Sequence, residues 1–127
     1  MKRALFLLVL PALMIACGLT PLGTASAQER ARFAIEGSNP GTDEISYRGT
    51  VTLTQEGDML TVVWRIGKNT YVGTGILDLN TLAVGYLSGD QPGVALYTRD
   101  SSTGIFTGQW ATHGGKGIGT ERWLPRN

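Results

Sequence analysis

The sequence predicts an all-β domain, a small antiparallel up-and-down β-barrel of about eight strands. Three observations carry that expectation. Apolar and polar residues alternate with a period of two through most of the chain after Ile45, the signature of half-buried strands. Clusters of Gly, Asn and Asp interrupt the alternation every ten residues or so, and the connections they form are about two to six residues long. Glycines also recur inside the runs themselves, where they mark bends or close backbone approach and suit a strongly coiled barrel.

Taken in order, a lead-in strand covers Arg32 to Ile35, and Gly37-Ser38-Asn39-Pro40-Gly41 forms the loop after it. From Glu44 to Thr54, Tyr47, Gly49, Val51 and Leu53 share one side, and Ser46, Thr50, Thr52 and Thr54 mark the other. Glu56-Gly57-Asp58 turns the chain into Met59 to Ile66, whose apolar face is Leu60, Val62, Trp64 and Ile66. After Gly67-Lys68-Asn69 comes Tyr71 to Leu79, then a tight turn at Asn80-Thr81 and a strand from Leu82 to Leu87. The loop Gly89 to Gly93 leads to Val94 to Arg99, Asp100-Ser101-Ser102 to Ile105 to Ala111, and His113 to Lys116 to a last strand, Gly117 to Trp123. Short connections favour pairing between chain neighbours, since parallel pairs need long crossovers. Closing such a meander into a barrel removes its exposed edges.

The first segment is read as an export signal rather than as part of the fold. Lys2 and Arg3 precede an apolar run from Ala4 to Ala16, and Ala25-Ser26-Ala27 supplies small residues at −3 and −1. The expected division is a signal peptide at 1–27 and a β-barrel domain at 28–127, with a secreted or periplasmic address. The apolar run is shorter than the roughly 20 residues of a membrane span. Met14-Ile15-Ala16-Cys17-Gly18 is a partial lipobox with Met14 where Leu is usual, so cleavage after Ala27 is preferred over a lipid anchor at Cys17. Cys17 is the single cysteine, so the domain after it has no disulfide and rests on its core and sheet. The formal net charge is +1, and losing Lys2 and Arg3 brings it to about −1. A nucleic-acid partner would demand a basic face instead.

Four segments place an apolar or aromatic residue before a glycine: Tyr47-Arg48-Gly49, Tyr71-Val72-Gly73, Phe106-Thr107-Gly108 and Ile118-Gly119. The stretch Tyr71-Val72-Gly73-Thr74-Gly75-Ile76, with Leu82 to Tyr86, Gly93 to Tyr97, Gly108-Gln109-Trp110 and Gly119-Thr120-Glu121, resembles a family of small secreted Gly-rich bacterial proteins of unknown function, some labelled fibronectin-binding. The resemblance covers about residues 45 to 123 and speaks to architecture more than activity. The meander also looks like lipocalin and avidin barrels, although no biotin-site or lipocalin-entrance motif is present to carry their ligands over.

Catalytic chemistry is poorly supplied. Asp90, Asp100, Ser101, Ser102 and His113 hold the letters of a triad, but triads are defined by geometry, and His113 reads as a solvated turn residue. One histidine and no further cysteine do not make a zinc site. Gly114-Gly115-Lys116-Gly117 lacks the spacing of a phosphate loop. The expectation is therefore no enzyme, no cofactor and no metal. Trp64, Tyr71, Tyr86, Trp110 and Glu121 are the candidate ligand-binding residues. Glu121 stands inside the last strand, in phase with Gly117 and Gly119, where it needs a partner such as Arg65 or Arg99. A salt bridge on the exterior or at the barrel end is the favoured reading, with a polar anchor inside a cavity as the alternative. Trp123 and Tyr97 are expected at the rim. Eight strands enclose room for side chains or for one small ligand. The expected function is an exported binding protein that holds a small apolar ligand or meets an extracellular or envelope protein through its loops. A periplasmic hydrolase inhibitor projecting Asp90 to Gly93 or Gln28 to Pro40, or a structural envelope protein, is the alternative.

Overall fold

The computed structural model describes residues 29–127. The segment read as an export signal, Cys17 included, lies outside the described residues. Eight strands follow one another: β1 (Arg30–Ser38), β2 (Tyr47–Glu56), β3 (Met59–Ile66), β4 (Asn69–Asp78), β5 (Thr81–Ser88), β6 (Gln91–Arg99), β7 (Phe106–Thr112) and β8 (Gly119–Arg126). Each pairs antiparallel with its chain neighbours, and β1 pairs with β8, so the sheet closes as an up-and-down barrel. No helix among the described residues is long and apolar enough to cross a membrane.

The element boundaries shift where pairing outweighs local turn chemistry. β1 runs on through Gly37 and Ser38, which the sequence places in a loop, because Gly37 pairs with both Tyr47 and Glu121 where the barrel closes. β2 begins only at Tyr47; Ser46 is bonded back to β1 and the loop through its backbone N–H and hydroxyl. The hairpin between β4 and β5 turns at Leu79-Asn80, one residue earlier than expected. Four two-residue hairpins join β2 through β6, and three start with glycine at φ 62–65° (Gly57, Gly67, Gly89), as the favoured tight hairpin turn requires. Leu79 fills the same position at φ 58° and is 85 % exposed. Arg99 holds that turn, its Nη2 donating to the Leu79 carbonyl and its backbone N–H to that of Asn80.

Inward residues alternate with outward ones along every strand, as the sequence pattern demands. The lower interior is solid. Phe33 meets Phe106 edge to face at 5.5 Å, Phe106 lies 5.3 Å from Trp123, and Val51, Leu53, Leu60 and Val62 fill the space beside them. Each fully buried side chain of this size contributes about 1.5–3 kcal/mol from removal of apolar surface.

Higher up, bulk is paired with its absence. Tyr47 faces Gly37, Tyr86 faces Gly93, Tyr97 faces Gly108 and Trp110 faces Gly119, each as a direct partner on the adjacent strand. A Cβ on any of these glycines would fall inside the facing ring. The rings therefore lie flat along the wall, in the space a side chain would take. The glycine covered by each ring is the one across the ladder, not the one two residues along the same strand.

The outer wall is divided too. On β1, β2 and β8, Glu36 lies 3.9 Å from Arg48 and 3.7 Å from Arg122. On β4, β5 and β6 the outward face carries one charge, Asp78 at the base end of β4, and Val72, Ile76, Leu87, Val94 and Leu96 are all more than half exposed.

Candidate functional site

The end of the barrel marked by the β3–β4 and β5–β6 hairpins opens into a cavity of about 320 Å³. Trp64, Tyr71, Tyr86, Trp110 and Glu121, the five residues singled out from sequence, all line it. Tyr47, Tyr97, Asn39, Ile66, Ser88 and Thr112 complete the lining. We call this end the mouth and the opposite end the base.

Glu121 forms the floor, and it corrects the favoured reading of the sequence. It is 6 % exposed and faces inward from β8. No arginine reaches it: Arg65 is exposed on the outer face of β3, and Arg99 is engaged at the base with Leu79 and Asn80. Neutral donors from four strands take the place of a cation. Trp123 Nε1 donates to Glu121 Oε1 at 2.8 Å, Tyr97 OH to the same oxygen at 2.8 Å, and Trp64 Nε1 at 3.2 Å. Tyr47 OH donates to Oε2 at 2.6 Å. Indole N–H groups donate only, so Oε1 is held as an acceptor three times over. A buried carboxyl group so engaged ties β2, β3, β6 and β8 across the lumen, and the bonds from Trp64, Tyr97 and Trp123 are shielded from water.

Trp123 and Tyr97 also depart from expectation. Both were placed at the rim on the argument that a ring with a polar tip suits an interface, yet they are 0 % and 1 % exposed. Their polar tips are satisfied inside the barrel by Glu121, and their rings stack on each other at 4.2 Å. Burial, reinforced by the charge of Glu121 and its hydrogen bond, pushes the Tyr97 phenol far above the ordinary tyrosine value. Tyr47 is driven the same way for the same causes in the same order. Burial raises Tyr86 as well, opposed by its hydrogen bond to Thr112 and reinforced by Glu121.

The upper wall differs from the floor because its polar groups are not all used. Tyr86 OH shares a 2.8 Å hydrogen bond with Thr112 Oγ1. Trp110 Nε1, by contrast, is buried without a hydrogen-bond partner. The Tyr47 oxygen lies near enough to Trp110 to temper the rise of that phenol, but outside hydrogen-bond geometry. A donor left this way in a cavity wall costs about 1–3 kcal/mol until an acceptor arrives.

Other chemistry suggested by the sequence is dispersed. Asp100 accepts from Ser102 N, Ser102 Oγ and Thr103 N within the β6–β7 connection, and those bonds, led by the Ser102 hydroxyl, hold its carboxyl below the usual value. His113 sits in the connection at the other end of β7, so these two groups do not meet. Of the segments considered as projecting inhibitor elements, Arg30–Ser38 forms β1 and Gln91 to Gly93 opens β6. Among the described residues no three His, Cys, Asp or Glu side chains cluster as metal ligands.

The aromatic residues of the site were legible from phase. Tyr47 and Tyr97 as donors to Glu121 were not, although each faces a glycine across the ladder, a pairing that marks inward rings near the mouth. The chain matches no family model, and no curated protein matches it significantly.

Proposed function

We propose that this chain is an exported, non-catalytic binding protein that holds a small ligand in the barrel mouth. One observation carries the reading. A cavity of about 320 Å³, at the small end of the range for ligand pockets, combines flat aromatic walls with a buried indole N–H that has no acceptor. The rings offer an apolar surface, and Asn39, Ser88 and Thr112 add polar groups to the lining. At roughly 30 Å³ per water equivalent, the space suits a molecule of about ten non-hydrogen atoms. The signal-like segment at 1–27 supports export to a secreted or periplasmic address. Charged residues on the outer wall of β1, β2 and β8, including Glu36, Arg48 and Arg122, argue against the lipid-facing apolar band of a membrane barrel.

Tryptophan emission tests the reading, since Trp64 and Trp110 line the cavity. Titration with a panel of small neutral, anionic and cationic ring and alkyl compounds is expected to give a saturable change for at least one of them. That change should weaken in Trp110→Phe. No saturable response across the panel would contradict the proposal.

A second reading rests on the outer face of β4–β6, where five large apolar side chains are exposed. Contiguous apolar surface of this kind is a common feature of protein interfaces. Sedimentation of the wild type against Ile76→Lys with Leu96→Lys measures it, and identical monomeric profiles would remove it.

A further inference from the structure

The electrostatics of the mouth narrow the class of ligand, an inference that rests on the binding function proposed above. We infer that the cavity selects a small methylated ammonium ion, held between the tyrosine and tryptophan faces above Glu121. Three independent features of the site point the same way.

The first is charge without a counter-charge. Among the described residues the ion pairs are those of Glu36 with Arg48 and Arg122, on the outer wall. Glu121 is surrounded by two phenols and two indoles, all neutral. Hydrogen bonds stabilise a buried carboxylate but leave its charge in place, and poorly solvated surroundings extend its field. Glu121 lines the same open cavity as Tyr71, Tyr86 and Trp110, so its carboxyl group stands beneath any guest held there. An anionic guest would meet this charge at close range.

The second is the orientation of the rings. Tyr47, Tyr86 and Trp110 lie in the spaces left by Gly37, Gly93 and Gly119, so they line the wall and turn their faces to the lumen. Aromatic faces carry the negative part of the ring quadrupole and attract cations, and cages of such rings recognise quaternary ammonium groups. With Tyr71 and Trp64 beside them, five rings bound the open space over the carboxylate.

The third is the state of the polar groups. Oε1 of Glu121 already accepts three donors and Oε2 accepts the Tyr47 hydroxyl, which leaves little capacity for the several hydrogen bonds of a primary ammonium. A metal ion would need more oxygen ligands than this one carboxylate provides. A methylated ammonium sheds water more readily and asks only for a negative field and π faces.

Calorimetric titration of the protein with choline, and in parallel with 3,3-dimethylbutan-1-ol, separates charge from shape. The two probes match in size and hydroxyl, and differ by a carbon in place of the charged nitrogen. Choline is expected to bind at least about tenfold more tightly than the alcohol. Tyr71→Leu, at a half-buried position at the mouth, is expected to weaken choline several-fold and leave the alcohol unchanged, with the fold verified by circular dichroism. Equal affinities for the two probes would overturn the ammonium assignment while leaving the mouth as a ligand site. So would saturable binding of benzamide or benzoate with no binding of choline. Failure of every probe, these two included, would overturn the binding function itself.

Discussion

The mouth and the base of the barrel are built from the same alternating strands, yet one is hollow and the other solid. At the base, Phe33, Phe106 and Trp123 pack edge to face or tilted against one another and beside aliphatic neighbours, so bulk is projected toward the axis. At the mouth, Tyr47, Tyr86 and Trp110 each lean over a glycine on the adjacent strand, so bulk is displaced to the wall. The base also carries a broader, more open depression of about 640 Å³ bordered by Arg30, Arg99 and Pro125, but it lacks a convergent set of buried polar groups. The comparison teaches that residue size alone does not decide whether an eight-stranded barrel holds a ligand. What faces each large residue across the ladder decides it. Glu121 marks the boundary between the two halves, with the stacked core below and the open space above.

That boundary gives the largest expected effect. Glu121→Leu would leave Trp64, Trp123 and Tyr97 without their acceptor, and at about 1–3 kcal/mol for each stranded donor the loss is roughly 3–9 kcal/mol in urea unfolding. A loss under about 1 kcal/mol would show that the four-strand hub is dispensable.

Truncation on either side of the hub sharpens the contrast. Phe106→Ala at the base should cost about 3–5 kcal/mol through lost burial and the cavity left behind. Tyr71→Ala at the mouth, where one side of the ring already faces open space, should cost no more than about 1 kcal/mol. Equal costs in the same denaturation series would mean that the mouth is packed like the base.

Alkaline titration follows in size. The folded Tyr97 phenol lies above its ordinary value near 10, so above that pH the folded chain keeps a proton that the unfolded chain releases. Stability is therefore complete below about pH 10 and falls above it, by up to about 1.4 kcal/mol per pH unit from Tyr97. Tyr47 acts in the same direction and Tyr86 more weakly. Absorbance at the phenolate band should accordingly lag in the folded protein and rise with unfolding; a full tyrosine titration near pH 10 in the folded state would contradict the buried network.

The smallest effect lies in the hairpins. Leu79 occupies a left-handed position that Gly57, Gly67 and Gly89 occupy in the other two-residue turns. Leu79→Gly should raise stability by about 0.5–1 kcal/mol, the relief of strain exceeding the extra entropy of glycine. Thermal unfolding measures it, and a lower midpoint would show that the turn is not strained.

The closed antiparallel barrel was legible because period-two alternation and two-residue turns both act locally, and the phase of β2, β3 and β5 correctly assigned their inward faces. The phase of β8 puts Glu121 on the face of Gly119 without saying that this face is the inner one, and local reasoning favours an arginine partner on the exterior or at the barrel end. The answer was nonlocal: Tyr47, Trp64 and Tyr97 are separated from Glu121 by 74, 57 and 24 residues, and only closure of the barrel brings them together. Trp123 and Tyr97 were misplaced for the same reason, because their polar tips implied water until an internal acceptor was known. Hollowness was not legible at all, since it depends on the register that sets each ring against a glycine.

The three indole N–H groups report on both halves at once in a nitrogen–proton correlation spectrum. Trp64 and Trp123 should give two downfield resonances that resist solvent exchange, reflecting their bonds to Glu121. Trp110 should give a third without the downfield shift, and it should move when a ligand enters the mouth. Three equivalent, rapidly exchanging resonances, or a Trp110 signal indifferent to every bound ligand, would contradict the solid floor and the open site above it.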